Sequence, residues 1–160
     1  TQKKIIGSKS YFFTKYPQFW GWATWKKKWN KFYNPDIKDW NKNRNKFLKV
    51  IFRNEEARFF DFYITKNAKK IHIGWDIPWI YKLILNKKLT VMSSVNLIRN
   101  IGFKNNPSGK GARKFRNLYT GRLKFPLKNN NNYIIDKTYD NYLFKSFYQR
   151  KIIPLRIYYK

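Results

Sequence analysis

The chain contains no cysteine, a single histidine and a single methionine in its 160 residues. Without cysteine there are no disulfides and no thiolate metal sites, and nothing points to an oxidising compartment. Acidic residues are also scarce, with 8 Asp and Glu against 36 Lys and Arg. No apolar run approaches the roughly 20 residues a membrane span requires. The first residues, Thr-Gln-Lys-Lys-Ile-Ile-Gly, lack the apolar stretch of a signal peptide, so a cytoplasmic location is expected. Thr rather than Met at position 1 suggests a processed or partial chain. Residues 1–160 are therefore read as a single domain or a domain fragment. There is no Gly-rich phosphate loop, no Asp-x-Asp, and no Cys-His or Ser-His-Asp arrangement.

Aromatic residues and positive charge are abundant. Aromatics make up 21% and hydrophobic residues 42% of the chain, enough to build a real core. The net charge is +28. Lysine and arginine interleaved with aromatic rings suit single-stranded nucleic acid, through phosphate contact and base stacking. Here the charge is scattered rather than gathered on one stripe, and it accompanies the Asn, Ile, Phe and Tyr bias of an A+T-rich coding sequence. Nucleic acid is thus the weaker reading. An anionic membrane surface, such as the inner face of a membrane, or a phosphorylated ligand fits the charge at least as well. A non-catalytic basic module binding nucleic acid or an anionic surface is the alternative to an enzyme.

The stretch that organises the chain is residues 16–29, which hold four of the seven tryptophans: Trp20, Trp22, Trp25 and Trp29. Gly21 gives a tight turn its freedom in φ between two bulky rings. Thr24 is a favoured N-cap, and Trp25, Trp29 and Phe32 then recur at i, i+4 and i+7 on one helical face. That spacing assigns Trp25 and Trp29 to a core. Trp20 and Trp22 precede the helix, in a loop where large rings can line a pocket.

Around this stretch, Tyr11, Phe12 and Phe13 predict a strand. The first helix ends at Asn34-Pro35, Asp36 can cap a second short helix bearing Trp40, and the polar residues 41–46 read as a loop or frayed end. Residues 47–64 read as one helix, with Phe52, Phe59, Phe60 and Tyr63 available for packing. Gly74-Trp75-Asp76-Ile77-Pro78-Trp79 is a start signal before an apolar helix, with Asp76 as N-cap. Residues 89–95 read as a strand, 104–111 as a turn-rich segment, 129–132 as a polar loop, and 139–148 as an aromatic helix. The apolar residues among 152–158 read as an edge strand.

A general base must come from the few carboxylates. Asp36, Asp39, Glu55, Glu56 and Asp61 lie in polar helical contexts that predict solvated side chains. Asp76 differs because it stands between Trp75 and Trp79. A carboxylate among aromatic rings and partly withdrawn from water is suited to take up a proton. His72, the lone histidine, has no cluster of metal-binding partners near it in sequence.

Four blocks together resemble bacterial nucleotide-diphospho-sugar transferases of the hemolytic-protein-like group. The first is Tyr16-Pro17 with Phe19-Trp20-Gly21-Trp22-Ala23-Thr24-Trp25 and Trp29, and the second is Trp75-Asp76 with Trp79 and Tyr81. The third is Asn96-Leu97-Ile98 with Asn100-Ile101-Gly102-Phe103, and the fourth is Phe125-Pro126-Leu127 followed by Asp136 and Asp140. The match runs over roughly residues 10–148.

The resemblance implies an α/β fold, the C-terminal, acceptor-side half of a GT-A glycosyltransferase, with few strands and aromatic-rich helices. It implies a nucleotide-sugar donor, a glycan acceptor and inverting transfer. A divalent metal, Mg or Mn, would be held by an Asp-x-Asp half that these residues do not contain. Asp76 matches the position of the catalytic base. Trp20, Trp22, Trp75, Trp79, Asn100 and Lys110 match substrate-binding positions. Lys110 stands where the family commonly has histidine; lysine can pair with a diphosphate but cannot ligate a metal while charged.

Overall fold

The computed structural model describes residues 9–51, 54–101, 119–128 and 133–148, with backbone alone at 147–148. Among them it is mixed α/β, with five α-helices and one two-stranded sheet. Strand β1 (Tyr11–Thr14) pairs antiparallel with β2 (Thr90–Ser93), Phe12 lying opposite Met92. Between them come α1 (Lys26–Phe32), α2 (Trp40–Val50), α3 (Asn54–Ala68) and α4 (Asp76–Leu85). Helix α5 (Lys137–Leu143) follows and passes into a π-type turn at Phe144–Tyr148.

Both strands fall where β-formers cluster, and α4 begins at the Gly74-Trp75 signal. The remaining helix starts depart from expectation. Helix α1 begins at Lys26 with Trp25 as an extended N-cap and no side-chain cap bond, so Thr24 sits one residue too early to cap it. Asp36 does not cap a helix. Its Oδ1 accepts from the Lys38 amide at 2.7 Å in a local turn, and α2 starts at Trp40. Residues 41–46 are helical, not a loop. Trp40 and Phe47, both buried and seven residues apart, set one apolar stripe that outweighs the polar run between them. The single helix expected over 47–64 is two, because Ile51 is extended at φ −95° and ψ 117° and its side chain is buried. Phe52, Gly102, Phe103, Lys110, and the expected turn segment, polar loop and edge strand at 104–111, 129–132 and 152–158 lie outside the described residues.

Helix α4 occupies the middle of the molecule, packing against α1, α2 and α3. All but Asp76 and Lys82 of its ten residues are buried. The core around it is built largely from rings. Tyr81 lies 5.6 Å from Trp40 and 5.7 Å from Phe47, centroid to centroid, and Tyr16 stacks on Phe60 at 5.9 Å. Such pairs add about 0.5–1.5 kcal/mol each beyond the area they bury.

The end of β1 carries a buried polar cluster. The Thr14 hydroxyl donates to Asp140 Oδ1 on α5, and Lys15 Nζ pairs with Glu56 Oε2 on α3 at 2.6 Å. Glu56 is 1% exposed, so the expectation of a solvated side chain is overturned. It occupies the same stripe as Phe59, Phe60 and Tyr63, three, four and seven residues on, which carries it into the core. Burial holds Asp140 above the ordinary carboxylate range, and the hydrogen bonds from Thr14 and the Lys15 amide only partly offset that.

Two outcomes are expected. Lys15→Met strips a buried carboxylate of its ion pair and should cost about 3–5 kcal/mol in urea unfolding. Adding Glu56→Gln should recover part of it, and a loss below about 1 kcal/mol would show that the pair is not buried in solution. Tyr139, buried against Phe12, is pushed up from 10.0 to about 12 by burial first, then by Tyr142 and Asp140. The folded state holds that proton more tightly, so the stability it lends is complete below pH 10 and lost as pH rises through about 12. Tyr139 should contribute a decline on the order of 2 kcal/mol across that window, read as the difference between the pH profiles of unfolding of the wild type and Tyr139→Phe.

Candidate functional site

The tight turn at Gly21 and the start of α4 meet face to face. Gly21 adopts φ 60°, a conformation that glycine takes without penalty. That turn sets the Trp22 ring on Trp75, stacked at 5.0 Å and an interplanar angle of 21°. Trp29, on the inner side of α1, packs on Trp79 at 5.0 Å and lies 5.8 Å from Trp22. Phe19 meets Trp75 edge-on at 5.0 Å, and Tyr33 stacks on Trp29 at 3.9 Å. The result is a box of four indoles contributed by two segments roughly fifty residues apart in the chain. Trp79, 4% exposed, is its floor, and Trp75, 42% exposed, is its open edge.

Of the other aromatic positions, Trp20 is 43% exposed beside the turn. Trp25 is 76% exposed, so its expected place in the core is overturned. It precedes the first residue of α1, one turn before Trp29, which is carried onto Trp79 but is itself only half-buried rather than part of the core. Phe19 and Tyr33 belong to the box without having been anticipated. Tyr33 follows Trp29 by four residues, a spacing that could have revealed it.

Asp76 follows Trp75 directly and is half-buried. It does not cap α4 as expected. Trp75 is the N-cap residue, with no side-chain cap bond, and the Ile77 amide donates to the Gly74 carbonyl at 3.1 Å. The Asp76 carboxylate instead folds back over Gly74, where a Cβ would stand 2.5 Å from Oδ1, so only glycine leaves it this position. On its other side is Tyr63 of α3, whose phenol is held above its ordinary value by burial and then by the negative charge of Asp76. Among the described residues, no hydrogen bond or ion pair engages the Asp76 carboxylate. It is the acidic group left available beside the indole box.

The third block is brought to the same place. A Cβ at Gly21 would lie 1.6 Å from Ile98 Cδ1, so the coil at 94–101 presses directly on the tryptophan turn. That coil is pinned by Asn96, whose carbonyl accepts from the Gly121 amide at 2.8 Å and whose Nδ2 donates to the Tyr119 carbonyl at 3.0 Å. Asn100 lies in it, two residues beyond Ile98. Lys110 is outside the described residues. The fourth block's acids have local roles: Asp136 caps α5 by accepting from the Tyr139 amide at 2.9 Å, and Asp140 is buried with Thr14.

A cleft of about 500 Å³ opens beyond Tyr33, lined by Lys31, Phe32, Tyr33, Asn34, Pro35, Lys82 and Asn86. Lys82 is tied there to Asp39 at 2.6 Å. The cleft touches the box through Tyr33, but Lys82 is six residues along α4 from Asp76, about 9 Å of helix rise. Asp76 is not among its lining residues. Among the described residues, no three His, Asp or Glu side chains converge on a point suited to a metal ion.

Comparison of the chain with protein-family models, with curated proteins and with solved structures returned no match.

The box depends on Gly21 in two ways, through its positive φ and through its lack of a Cβ against Ile98. Gly21→Ala should therefore cost about 1–2 kcal/mol from the backbone alone. It should also reduce the near-ultraviolet dichroism of the stacked indoles. An unchanged melting midpoint and spectrum would mean that Ile98 does not press on the turn in solution.

Proposed function

We propose that this chain is the acceptor-side portion of a GT-A-type glycosyltransferase, passing a sugar from a nucleotide-sugar donor to a glycan or lipid-linked acceptor in cell-surface polysaccharide synthesis. The observation that carries this reading is the meeting of the two tryptophan blocks around Asp76. Stacked indoles present apolar faces of the kind that line small-ligand sites, and the uncommitted carboxylate supplies the single polar group a hydroxyl acceptor needs. The resemblance of the four sequence blocks to nucleotide-diphospho-sugar transferases supports the same conclusion. Three of those blocks come together at Gly21, Trp75 and Ile98.

In this reading Trp22 and Trp75 bind the sugar ring of the acceptor, Trp79 supports them from below, and Trp20 and Asn100 border the site. Lys110 is assigned to the donor diphosphate by resemblance alone. Asp76 accepts the proton of the acceptor hydroxyl. The hydroxyl oxygen forms its bond to the anomeric carbon as the bond to the diphosphate breaks, and the nucleoside diphosphate leaves with that electron pair. The residues described here do not assemble a metal site, so Mg or Mn belongs to the Asp-x-Asp half that the resemblance implies.

The test is sugar transfer by this chain joined to a nucleotide-binding half that carries Asp-x-Asp. Asp76→Asn preserves size and removes the base, and turnover should fall by about 10² to 10⁴. Because the Asp76 side chain caps nothing, both Asp76→Asn and Asp76→Ala should shift stability by less than about 0.5 kcal/mol. Turnover by Asp76→Asn equal to that of the wild type would remove Asp76 as the base.

A further inference from the structure

The outer side of the indole box is apolar, basic and almost free of carboxylates. Trp25 is 76% exposed, Trp20 43% and Trp75 42%, and around them Ile71 is 94%, Leu97 47% and Ile101 72% exposed. These side chains lie on segments that meet where Trp22 packs on Trp75 and Ile98 presses on Gly21. Phe19 and Trp22 both meet Trp75, which joins the Trp20 turn to the start of α4. Ile71 lies four residues before Trp75 on the approach to that helix. Ile98 presses on Gly21 and brings the Leu97–Ile101 coil against the same turn. Trp25 stands at the head of α1, one turn above Trp29 in the box.

The charge around these residues has one sign. Lys26, Lys27 and Lys28 are exposed immediately after Trp25, and Lys69 and Lys70 are exposed immediately before Ile71. Residues 16–33 contain no acidic side chain, and among residues 66–82 the only one is Asp76. Exposed tryptophans with aliphatic neighbours and a lysine border match the boundary between acyl chains and anionic headgroups. Indoles settle at headgroup level, aliphatic side chains enter the apolar edge, and lysines meet the negative surface.

We propose that this face docks the protein on an anionic lipid bilayer, with Trp25 and Ile71 entering the interface and Lys26–Lys28 and Lys69–Lys70 on the headgroups. The occupant is a lipid surface rather than a nucleic acid for two reasons. Ile71, Leu97 and Ile101 offer no face on which a base could stack. Trp22 and Trp75 are stacked on each other and leave no gap between their rings into which a base could insert. The inference does not depend on sugar transfer, since the side chains that enter the bilayer, Trp25 and Ile71, have no part in the proposed acceptor site.

Co-sedimentation with vesicles tests it, comparing equimolar phosphatidylcholine and phosphatidylglycerol with phosphatidylcholine alone at physiological salt. The chain should pellet with the anionic vesicles and not with the neutral ones. The double variant Trp25→Ser with Ile71→Ser leaves the charge unchanged and should lose about tenfold or more in vesicle affinity. Both side chains are exposed, so its far-ultraviolet dichroism should match the wild type. Brominated acyl chains should quench wild-type tryptophan emission, an independent measure of entry into the bilayer. Three results would overturn the proposal: no pelleting with anionic vesicles, equal affinity of the double variant (attraction by charge alone), or absence of quenching. A fourth would favour nucleic acid instead: loss of single-stranded oligonucleotide affinity in the double variant as large as its loss of vesicle affinity.

Discussion

The structure depends on keeping one short, nearly all-apolar helix out of water. Helix α4 exposes no full polar face, so α1, α2 and α3 must each cover part of it. Tyr81 is fully buried beneath this cover, with Trp40 and Phe47 of α2 set around its ring. Rings suit this task where, among the described residues, only two short strands are formed. Each buries a large area through two rotatable bonds, so little conformational entropy opposes the packing. The arrangement also explains why the tryptophan turn is where it is. At the start of α4, Trp29 of α1 covers Trp79, and the turn at Gly21 brings Trp22 against both Trp75 and Trp79.

A second constraint is polar and holds the other end. Lys15 and Thr14, adjacent at the end of β1, reach α3 through Glu56 and α5 through Asp140. The apolar contacts of α4 leave this corner of the molecule to directional bonds. Such buried pairs discriminate against misregistered strands more than they add net stability, because a shift of one residue would leave both carboxylates unpaired.

Much of this was legible in the sequence, for local reasons. Strand β1 and helix α4 announce themselves through composition and a Gly-Trp-Asp start, and the tryptophans of residues 16–29 and 75–79 marked the region where a site could form. What escaped depended on partners distant in the chain. Residues 41–46 look like a loop until Trp40 and Phe47 are seen to share a buried stripe. Glu56 looks like a surface acid until Lys15, forty-one residues earlier, is placed beside it. Trp25 and Trp29 have the same helical spacing, yet only Trp29 finds a partner on α4. Which of the two packs inward is decided by where α1 begins, not by their periodicity.

The disposition of the acids has a consequence for how this molecule meets its solvent. Asp36, Asp39, Glu56 and Asp61 are each held by a lysine or arginine, and Asp136 and Asp140 are spent on backbone and hydroxyl donors. Few carboxylates remain to temper the outer lysines. In solution the protein therefore gathers a dense atmosphere of small anions, and its copies repel one another. Any encounter with an extended polyanion sets some of those small ions free. The entropy of that release, more than any single contact, then governs how strongly the encounter responds to ionic strength.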